Sequence, residues 1–264
     1  MTIQPTSTSF FDTPQGKLFV VQYGAGSPPL VCLHGAANTH QHWDGPLHVF
    51  GDITRSIALD LPGHGLSDPP SYDRVDEYST ALLSLLDAMG LDAAVVEWGI
   101  RWVGAIALQM ALDAPQRVRG LILLSAGATL DVVNNFLEAL KDIPDNGIDL
   151  LSHMLYSTHA TVGIGKTGVE AFQSISLQTL RNDIAVCQAF DIRARLHEIT
   201  CPALIIAGAQ DQIIPPDYAH YLHEHLADSE LLILEQAGHL LPIEKPAEIG
   251  AAMRSWFISQ YRSD

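Results

Sequence analysis

The stretch Val95–Gly104 (VVEWGIRWVG) places ionisable and aromatic side chains in an otherwise apolar part of the chain. Glu97 lies within the apolar run Ala93–Trp98, where a carboxylate is costly unless it is paired. If it is unpaired, its pKa should rise, and a raised pKa is what a general base needs near neutral pH. Arg101 has N–H donors and no lone pair free for attack, so it could hold an anion but cannot act as a nucleophile.

Two aromatic side chains, Trp98 and Trp102, lie on either side of Gly99–Arg101. With Glu97 as base and Arg101 as donor to developing negative charge, they would form a pocket for a flat ligand, an arrangement that suits removal of a proton from carbon. The alternative is that Glu97 is a tolerated or destabilising substitution whose burial is relieved by water. The second interpretation is the simpler one, and the residues leave both open.

The elements that must position these residues are short apolar runs bounded by turn residues. Several runs are apolar throughout, which is typical of strands covered on both faces. The predicted strands are Leu18–Tyr23, Leu30–Leu33, Ile53–Leu61, Ala93–Trp98, Gly120–Ser125, Ala203–Ala207 and Leu231–Leu234. Apolar residues at three- and four-residue spacing predict helices over Val75–Met89, Trp102–Leu112 and Pro246–Tyr261. Strands that alternate with helices predict an α/β fold with a mostly parallel sheet and helices on both faces.

Residues 132–196 interrupt this alternation, because they contain helical and loop patterns without a convincing strand. We interpret them as a helical cap over the carboxyl edge of the sheet, where folds of this type bind their ligands. The predicted organisation is one domain, with a core formed by residues 1–131 and 197–264 and a cap formed by residues 132–196.

Composition narrows the possible partners. The chain of 264 residues is 47% hydrophobic and carries 30 acidic against 14 basic residues, a formal net charge of −16. Such a chain can bury a sizeable core, and it repels phosphate backbones and anionic lipids. We therefore expect a small-molecule substrate or ligand, anionic or aromatic, rather than nucleic acid or a membrane surface.

The pattern of cysteine, histidine and glycine residues argues against disulfides, metal sites and nucleotide cofactors. The cysteines are odd in number and widely spaced, at Cys32, Cys187 and Cys201, which fits reduced thiols in the cytoplasm. The pair His40 and His42 has no matching ligand cluster, and no phosphate loop or dinucleotide glycine pattern occurs. We expect neither a signal peptide nor a membrane span, and neither metal nor cofactor.

Four motifs together resemble the α/β-hydrolase superfamily. They are His34-Gly35 after one strand, Asp60–Asp68 (DLPGHGLSD) after the next, Gly208–Asp211 (GAQD) after a later one, and Gly238-His239 near the end. The resemblance covers nearly the whole chain and is closest to the small capped esterase and lactonase-like branch. It implies an α/β-hydrolase fold with a helical cap.

The resemblance also implies a set of site residues. His239 matches the general base, and Asp211 matches the acid that orients its imidazole and stabilises its charged form. The backbone N–H groups of Ala36 and Trp102 match the oxyanion hole, which survives side-chain changes. Further residues expected at the substrate pocket are His34, Gly35, Trp98 and Ser125, of which His34 is expected to be a structural loop residue.

The nucleophile of the superfamily is missing from its motif, Gly-x-Ser-x-Gly. Gly99 matches the first glycine, so Arg101 stands at the serine and Val103 at the second glycine. Ser125 ends a strand on the same edge and is the best remaining serine, but it lacks an elbow, and an ordinary strand-end serine is the favoured interpretation. The departures are confined to residues 97–103, which fits deliberate replacement better than diffuse drift.

Three functional hypotheses follow. The first is an enzyme that uses His239 and Asp211 for acid–base chemistry without a covalent serine intermediate, either hydrolysing esters through activated water or removing a proton from carbon. The second is a catalytically silent pocket that binds a small anion through Arg101. The third is a serine esterase altered at the elbow, which is compatible with either. Ordinary serine-esterase turnover is expected to be absent or very weak.

Overall fold

The computed structural model describes residues 5–35, 38–43, 47, 50–98, 103–131 and 176–262, apart from the side chains of Glu97, Trp98 and Leu177. Its centre is an eight-stranded sheet in the order β1-β2-β4-β3-β5-β6-β7-β8. The strands are β1 Ser7–Thr13, β2 Gly16–Tyr23, β3 Leu30–Leu33, β4 Ser56–Leu59, β5 Ala94–Trp98, β6 Val118–Leu124, β7 Ala203–Gly208 and β8 Ser229–Leu234. Strands β1 and β2 run antiparallel to their neighbours, and all pairs from β4 to β8 are parallel, which confirms the mostly parallel sheet.

Helices connect the parallel strands, as a parallel sheet requires. The α-helices within the described residues are α1 Val75–Ala88, α2 Val103–Asp113, α3 Leu177–Ala189, α4 Pro216–His225, α5 Leu241–Glu244 and α6 Pro246–Tyr261. Short 3₁₀ helices cover His40–Trp43, Pro115–Arg117 and Arg193–Glu198. None of the helices in this part of the chain is long and apolar enough to cross a membrane.

Both faces of the sheet are covered. Neighbouring residues of β5 show this, since they point into different apolar layers. Val96 lies in the layer that α1 and α2 complete with Leu82, Leu85 and Ile106. Val95 lies in the opposite layer, which includes Trp256 and Phe257 of α6. Burial on both faces explains why the parallel strands are apolar runs rather than alternating patterns.

Strand boundaries differ from the sequence prediction mainly in the amino-terminal half. Strand β1 was not predicted, since its side chains are mostly polar and exposed, as is common on an edge strand. Strand β4 is shorter than the predicted Ile53–Leu61 because Ile53 and Thr54 form a turn in which both N–H groups donate to the Phe50 carbonyl, at 2.9 and 3.0 Å.

Strand β5 occupies the middle of the sheet. Glu97 is in register with Cys32 of β3 and Ile122 of β6. Because β3 and β5–β8 are parallel, their carboxyl ends meet at one edge, where ligands bind in such folds. The segments that leave this edge contain His34, Ser125, Asp211 and His239.

The described end of the predicted cap includes α3, which is docked onto the turn that follows β4. The Asn182 amide donates to the Ser71 carbonyl at 2.9 Å, and Asp183 Oδ2 lies 3.2 Å from His64 Nε2. Both members of the second pair are buried. The predicted cap limits, 132 and 196, stay a prediction, because residues 132–175 lie outside the described residues.

Candidate active site

Asp211 and His239 meet at the carboxyl edge of the sheet. His239 Nδ1 and Asp211 Oδ2 are 2.8 Å apart, and both side chains are fully buried. A carboxylate can only accept, so the imidazole donates through Nδ1 and leaves Nε2 as the nitrogen that can exchange a proton with another group. Sequence reasoning predicted this pair from residues that lie 28 positions apart.

The pKa of Asp211 is set by opposing effects. Burial raises it, but the charge of His239, the hydrogen bond from its ring, and the N–H groups of Ile214 and Ile213 outweigh burial and hold it below its ordinary value. Those two N–H groups both donate to Asp211 Oδ1 at 2.9 Å. Asp211 is therefore an ionised acceptor whose second oxygen is fixed by backbone, and it keeps the imidazole in one orientation.

Local backbone geometry brings the two loops together. Asp211 follows β7, which ends at Gly208, and a Cβ on Gly208 would lie 2.3 Å from the Gly238 carbonyl oxygen and 2.4 Å from that of Ala237. Only glycine permits this approach of backbone to backbone. The Gln210 N–H also donates to the Ala237 carbonyl at 2.9 Å, which joins the Asp211 loop to the His239 loop.

Ser125 contacts the same loop from β6. Its residue is fully buried and has a φ of +48°, a left-handed conformation that is strained for a residue with a side chain. Its Oγ donates to the backbone carbonyl of His239 at 3.4 Å. The hydroxyl hydrogen is thus directed to the backbone of His239 rather than to its imidazole.

His34 and Gly35 form the turn after β3. His34 Nδ1 donates to the Gly35 carbonyl at 2.9 Å, and His34 Nε2 accepts the Leu61 N–H at 3.0 Å. Burial, followed by the nearby charge of His64, lowers the pKa of His34 to about 3. His34 is therefore a neutral imidazole with both nitrogens bonded to backbone, and it joins the β3 turn to the β4 turn.

Asp60 holds the turn after β4 together from inside. Its Oδ1 accepts the backbone N–H and ring Nδ1 of His40 at 2.7 and 2.9 Å, and its Oδ2 accepts the Leu66 N–H at 2.8 Å. His40, which sequence reasoning considered only as a metal ligand without a matching cluster, contacts a carboxylate that lies 20 residues away. Within the described ranges, no group of three or more His, Cys, Asp or Glu could hold a metal ion.

Several predicted site residues lie outside the described residues. They are Ala36 and Trp102 of the predicted oxyanion hole, Arg101 at the nucleophile position, and the side chains of Glu97 and Trp98. Helix α2 begins at Val103, directly after residues 99–102.

Comparison with known proteins identifies the family. Residues 30–252 match the family described as "Alpha/beta hydrolase family". The chain belongs to this family.

Several relatives of the chain are named as esterases or lactonases. The chain is 26% identical to the pimeloyl-[acyl-carrier protein] methyl ester esterase of Nitrosomonas europaea, over 83% of this chain and 91% of that one. It is 25% identical to 3-oxoadipate enol-lactonase 2 of Acinetobacter baylyi, over 88% of this chain and 89% of that one. Among solved structures, a thermophilic esterase from Thermogutta terrifontis superposes with a TM-score of 0.84 at 21% identity, covering 97% of this chain and 100% of that one.

Two contacts of this alpha/beta hydrolase site were missed by sequence reasoning. Both carboxylate oxygens of Glu244 lie 3.1–3.2 Å from the Gly238 nitrogen, next to His239. The Ser125 bond to the His239 carbonyl was also missed, although Ser125 was expected near the pocket. A glutamate shortly after a Gly-His pair is the only sequence signal for the first contact, and the second has none.

Proposed function

We propose that this alpha/beta hydrolase works without a serine nucleophile and performs acid–base chemistry through His239 and Asp211. The observation that carries the proposal is the buried 2.8 Å hydrogen bond between these two side chains in a chain whose nucleophile position is Arg101. A guanidinium never deprotonates and cannot attack a substrate. Proton transfer by the imidazole is the chemistry that remains.

In the proposed reaction, His239 Nε2 takes a proton from water or from a carbon acid. In the first case the hydroxide adds to an ester or lactone carbonyl, and the imidazolium later protonates the leaving oxygen. In the second case the electron pair moves from the C–H bond into an adjacent carbonyl. The backbone N–H groups of Ala36 and Trp102 and the guanidinium of Arg101 would stabilise the oxyanion in either case. Glu97 is a second candidate base.

The substrate we propose is a small molecule with a planar or anionic group. The names of the relatives, a methyl ester esterase and an enol-lactonase, support an ester or a lactone as the compound class. Arg101 supports a carboxylate on the substrate, which a guanidinium can bind with two parallel hydrogen bonds. The three cysteines form no disulfide, which fits the proposed location in the cytoplasm.

A catalytically silent binding pocket is the second candidate. Arg101 favours it, because a cation at the nucleophile position can hold an anion without any turnover. Both candidates are compatible with a serine esterase that was altered over residues 97–103. The alternative nucleophile, Ser125, is disfavoured because its hydroxyl donates to the His239 carbonyl and is fully buried.

The deciding experiment compares the parent chain with Arg101→Ser, each with and without His239→Ala, on short-chain activated aryl esters. Turnover by the parent that disappears with His239→Ala would support chemistry without serine. An inert parent whose Arg101→Ser variant gains several orders of magnitude would show a silenced esterase with an intact Asp–His pair.

Binding is measured on the same four proteins by calorimetry with small carboxylates. If the parent binds a carboxylate but shows no turnover, and Arg101→Ser no longer binds it, the result would favour the binding pocket. An active parent that ignores His239→Ala would contradict the proposed mechanism.

A further inference from the structure

The backbone of the loop that contains His239 is bonded at each successive residue. The Ala237 carbonyl accepts the Gln210 N–H, the Gly238 N–H donates to Glu244, and the His239 carbonyl accepts the Ser125 hydroxyl. The next carbonyl, that of Leu240, accepts the Ile243 and Glu244 N–H groups of α5 at 2.9 Å. The position of the His239 Cα is therefore determined by bonds on both sides of it.

Glu244 makes the one bond of this set that involves a charge. The Gly238 nitrogen lies 3.2 Å from Oε1 and 3.1 Å from Oε2, so the carboxylate receives the N–H between its two oxygens. Hydrogen bonds to an ionised acceptor are about twice as strong as neutral ones. Gly238 is buried, and its N–H would be costly to leave without an acceptor.

The loop next to this contact is constrained. On its other side Gly238 lies against Gly208, so closely that a Cβ there would meet the Gly238 carbonyl at 2.3 Å. Gln236, two residues earlier, has a φ of +54°, which only a constrained loop holds in a residue with a side chain. Release of the Gly238 N–H would let this strained loop relax and carry His239 with it.

We propose that Glu244 is a positioning residue for His239, which fixes the imidazole against Asp211 through the backbone of Gly238. The proposal rests on the proposed function of His239 as the base. Glu244 does not need to touch a substrate, and its effect reaches the chemistry only through the geometry of the His239–Asp211 hydrogen bond.

The test follows the proton on His239 Nδ1 by NMR of the full chain labelled with ¹⁵N in histidine, the signal being assigned by its loss in His239→Ala. The variants are Glu244→Ala, which removes the acceptor, Glu244→Asp, which keeps the charge but shortens the side chain, and Glu244→Gln, which keeps one acceptor oxygen. The matched control is Glu248→Ala, which removes an exposed glutamate four residues further on.

Exchange of the Nδ1 proton with water should be about 10-fold faster in Glu244→Ala and in Glu244→Asp, since the first removes the acceptor of the Gly238 N–H and the second places it out of reach. Glu244→Gln should restore most of the protection, and Glu248→Ala should match the parent. An unchanged exchange rate in both Glu244→Ala and Glu244→Asp would overturn the proposal, as would equal acceleration by Glu248→Ala.

Melting temperatures of all variants separate a loosened loop from general unfolding. If Glu244→Ala does not fold, Glu244→Asp and Glu244→Gln still decide the question, because they differ in reach and not in size alone. The readout requires no turnover, so a parent that neither hydrolyses esters nor binds anions would count against the proposed function while the Nδ1 result still tests Glu244.

Discussion

The imidazole of His34 is held neutral by its surroundings. Its two nitrogens are bonded to the backbone of Gly35 and Leu61, one as donor and one as acceptor, and a second proton on the ring would break the bond from Leu61. Burial lowers the pKa to about 3, below the ordinary value of 6.5. His34 therefore stabilises the turn that precedes the predicted oxyanion residue Ala36 only in its neutral form.

Acid should destabilise the protein through this residue. Below pH 6.5 the unfolded chain binds a proton at position 34, whereas the folded chain does not until about pH 3. Stability from His34 is complete above pH 6.5 and falls by about 1.4 kcal/mol per pH unit below it. Urea denaturation between these limits should show a steeper loss for the parent than for His34→Gln, which does not titrate.

His220→Gln is the matched control, because its side chain is exposed on α4, and it should keep the slope of the parent. An equal slope in His34→Gln and the parent would show that His34 is protonated in the folded state. His42 has a pKa lowered by burial to about 4 and adds a smaller contribution of the same sign.

For single residues, the sequence predicted which side chains belong to the site better than it predicted the contacts that those side chains make. His34, Asp211 and His239 could be selected from their motifs, because residue type and order along the chain carry that information. The tautomer of His34, the φ of Ser125 and the contact from Glu244 depend on neighbours that are brought close only by the fold, and no local pattern encodes them.

Strand β7 ends at Gly208, whose lack of a side chain lets the backbone of the His239 loop pack directly against it. Gly208→Ala would place a Cβ 2.3–2.4 Å from two backbone oxygens that cannot rotate away. We expect a loss of about 1–3 kcal/mol in the free energy of unfolding, together with loss of the protected Nδ1 signal of His239.

Gly90→Ala provides the comparison for this prediction. Gly90 has a φ of +66° but open space where a methyl group would lie, so alanine strains only its own backbone. The Nδ1 signal should remain in Gly90→Ala. A Gly208→Ala protein that retains the signal unchanged would show that the loop can move away without cost to the Asp–His pair.

Helix α3 is fastened to the core by a buried imidazole and carboxylate. His64 Nδ1 lies 3.1 Å from the Pro62 carbonyl, and Nε2 lies 3.2 Å from Asp183 Oδ2. Both side chains are buried, so removal of either one leaves a buried polar group that has lost this hydrogen bond.

Asp183→Ala should therefore lower the free energy of unfolding by about 3–5 kcal/mol, and Asp183→Asn, which keeps shape and polarity, should cost less. Chemical denaturation measures both. Glu198→Ala, which breaks an exposed pair with Arg195, is the control and should leave the free energy nearly unchanged. A loss in Asp183→Ala no greater than in this control would mean that α3 is held by its other contacts.

Element prediction worked best where local signals mark the ends. The bounds of β3 and α6 agree with the sequence patterns to the residue, because β3 is apolar throughout and α6 begins at a proline. Strand β1 was missed, since an edge strand with exposed polar residues carries no apolar signal. The order of the strands and the 119-residue separation of His64 from Asp183 lie beyond any periodicity argument.

The chain carries a formal net charge of −16, so its charged groups repel one another across the whole folded molecule. Self-repulsion of this size opposes compactness and is screened by salt, whose Debye length falls from about 30 Å at 10 mM to about 8 Å at 150 mM. The melting temperature should rise over this interval.

Asp73→Lys combined with Glu224→Lys, both at exposed positions, reduces the magnitude of the negative net charge and should reduce the rise in melting temperature. Calorimetric scans at a series of salt concentrations measure the effect. A melting temperature that falls with salt would instead assign the net effect to attractive surface pairs such as Arg254 with Asp52.

The Asp–His pair and its supports come from one side of the molecule and one end of the chain. Ser125 follows β6, Asp211 follows β7, and His239 and Glu244 follow β8, all of them later in the chain than the segment between β5 and α2. The contacts that hold Asp211 and His239 together within the described residues therefore involve none of residues 97–103. A library of sequences in this segment, screened for new activities, would start from an Asp–His hydrogen bond that is already in place.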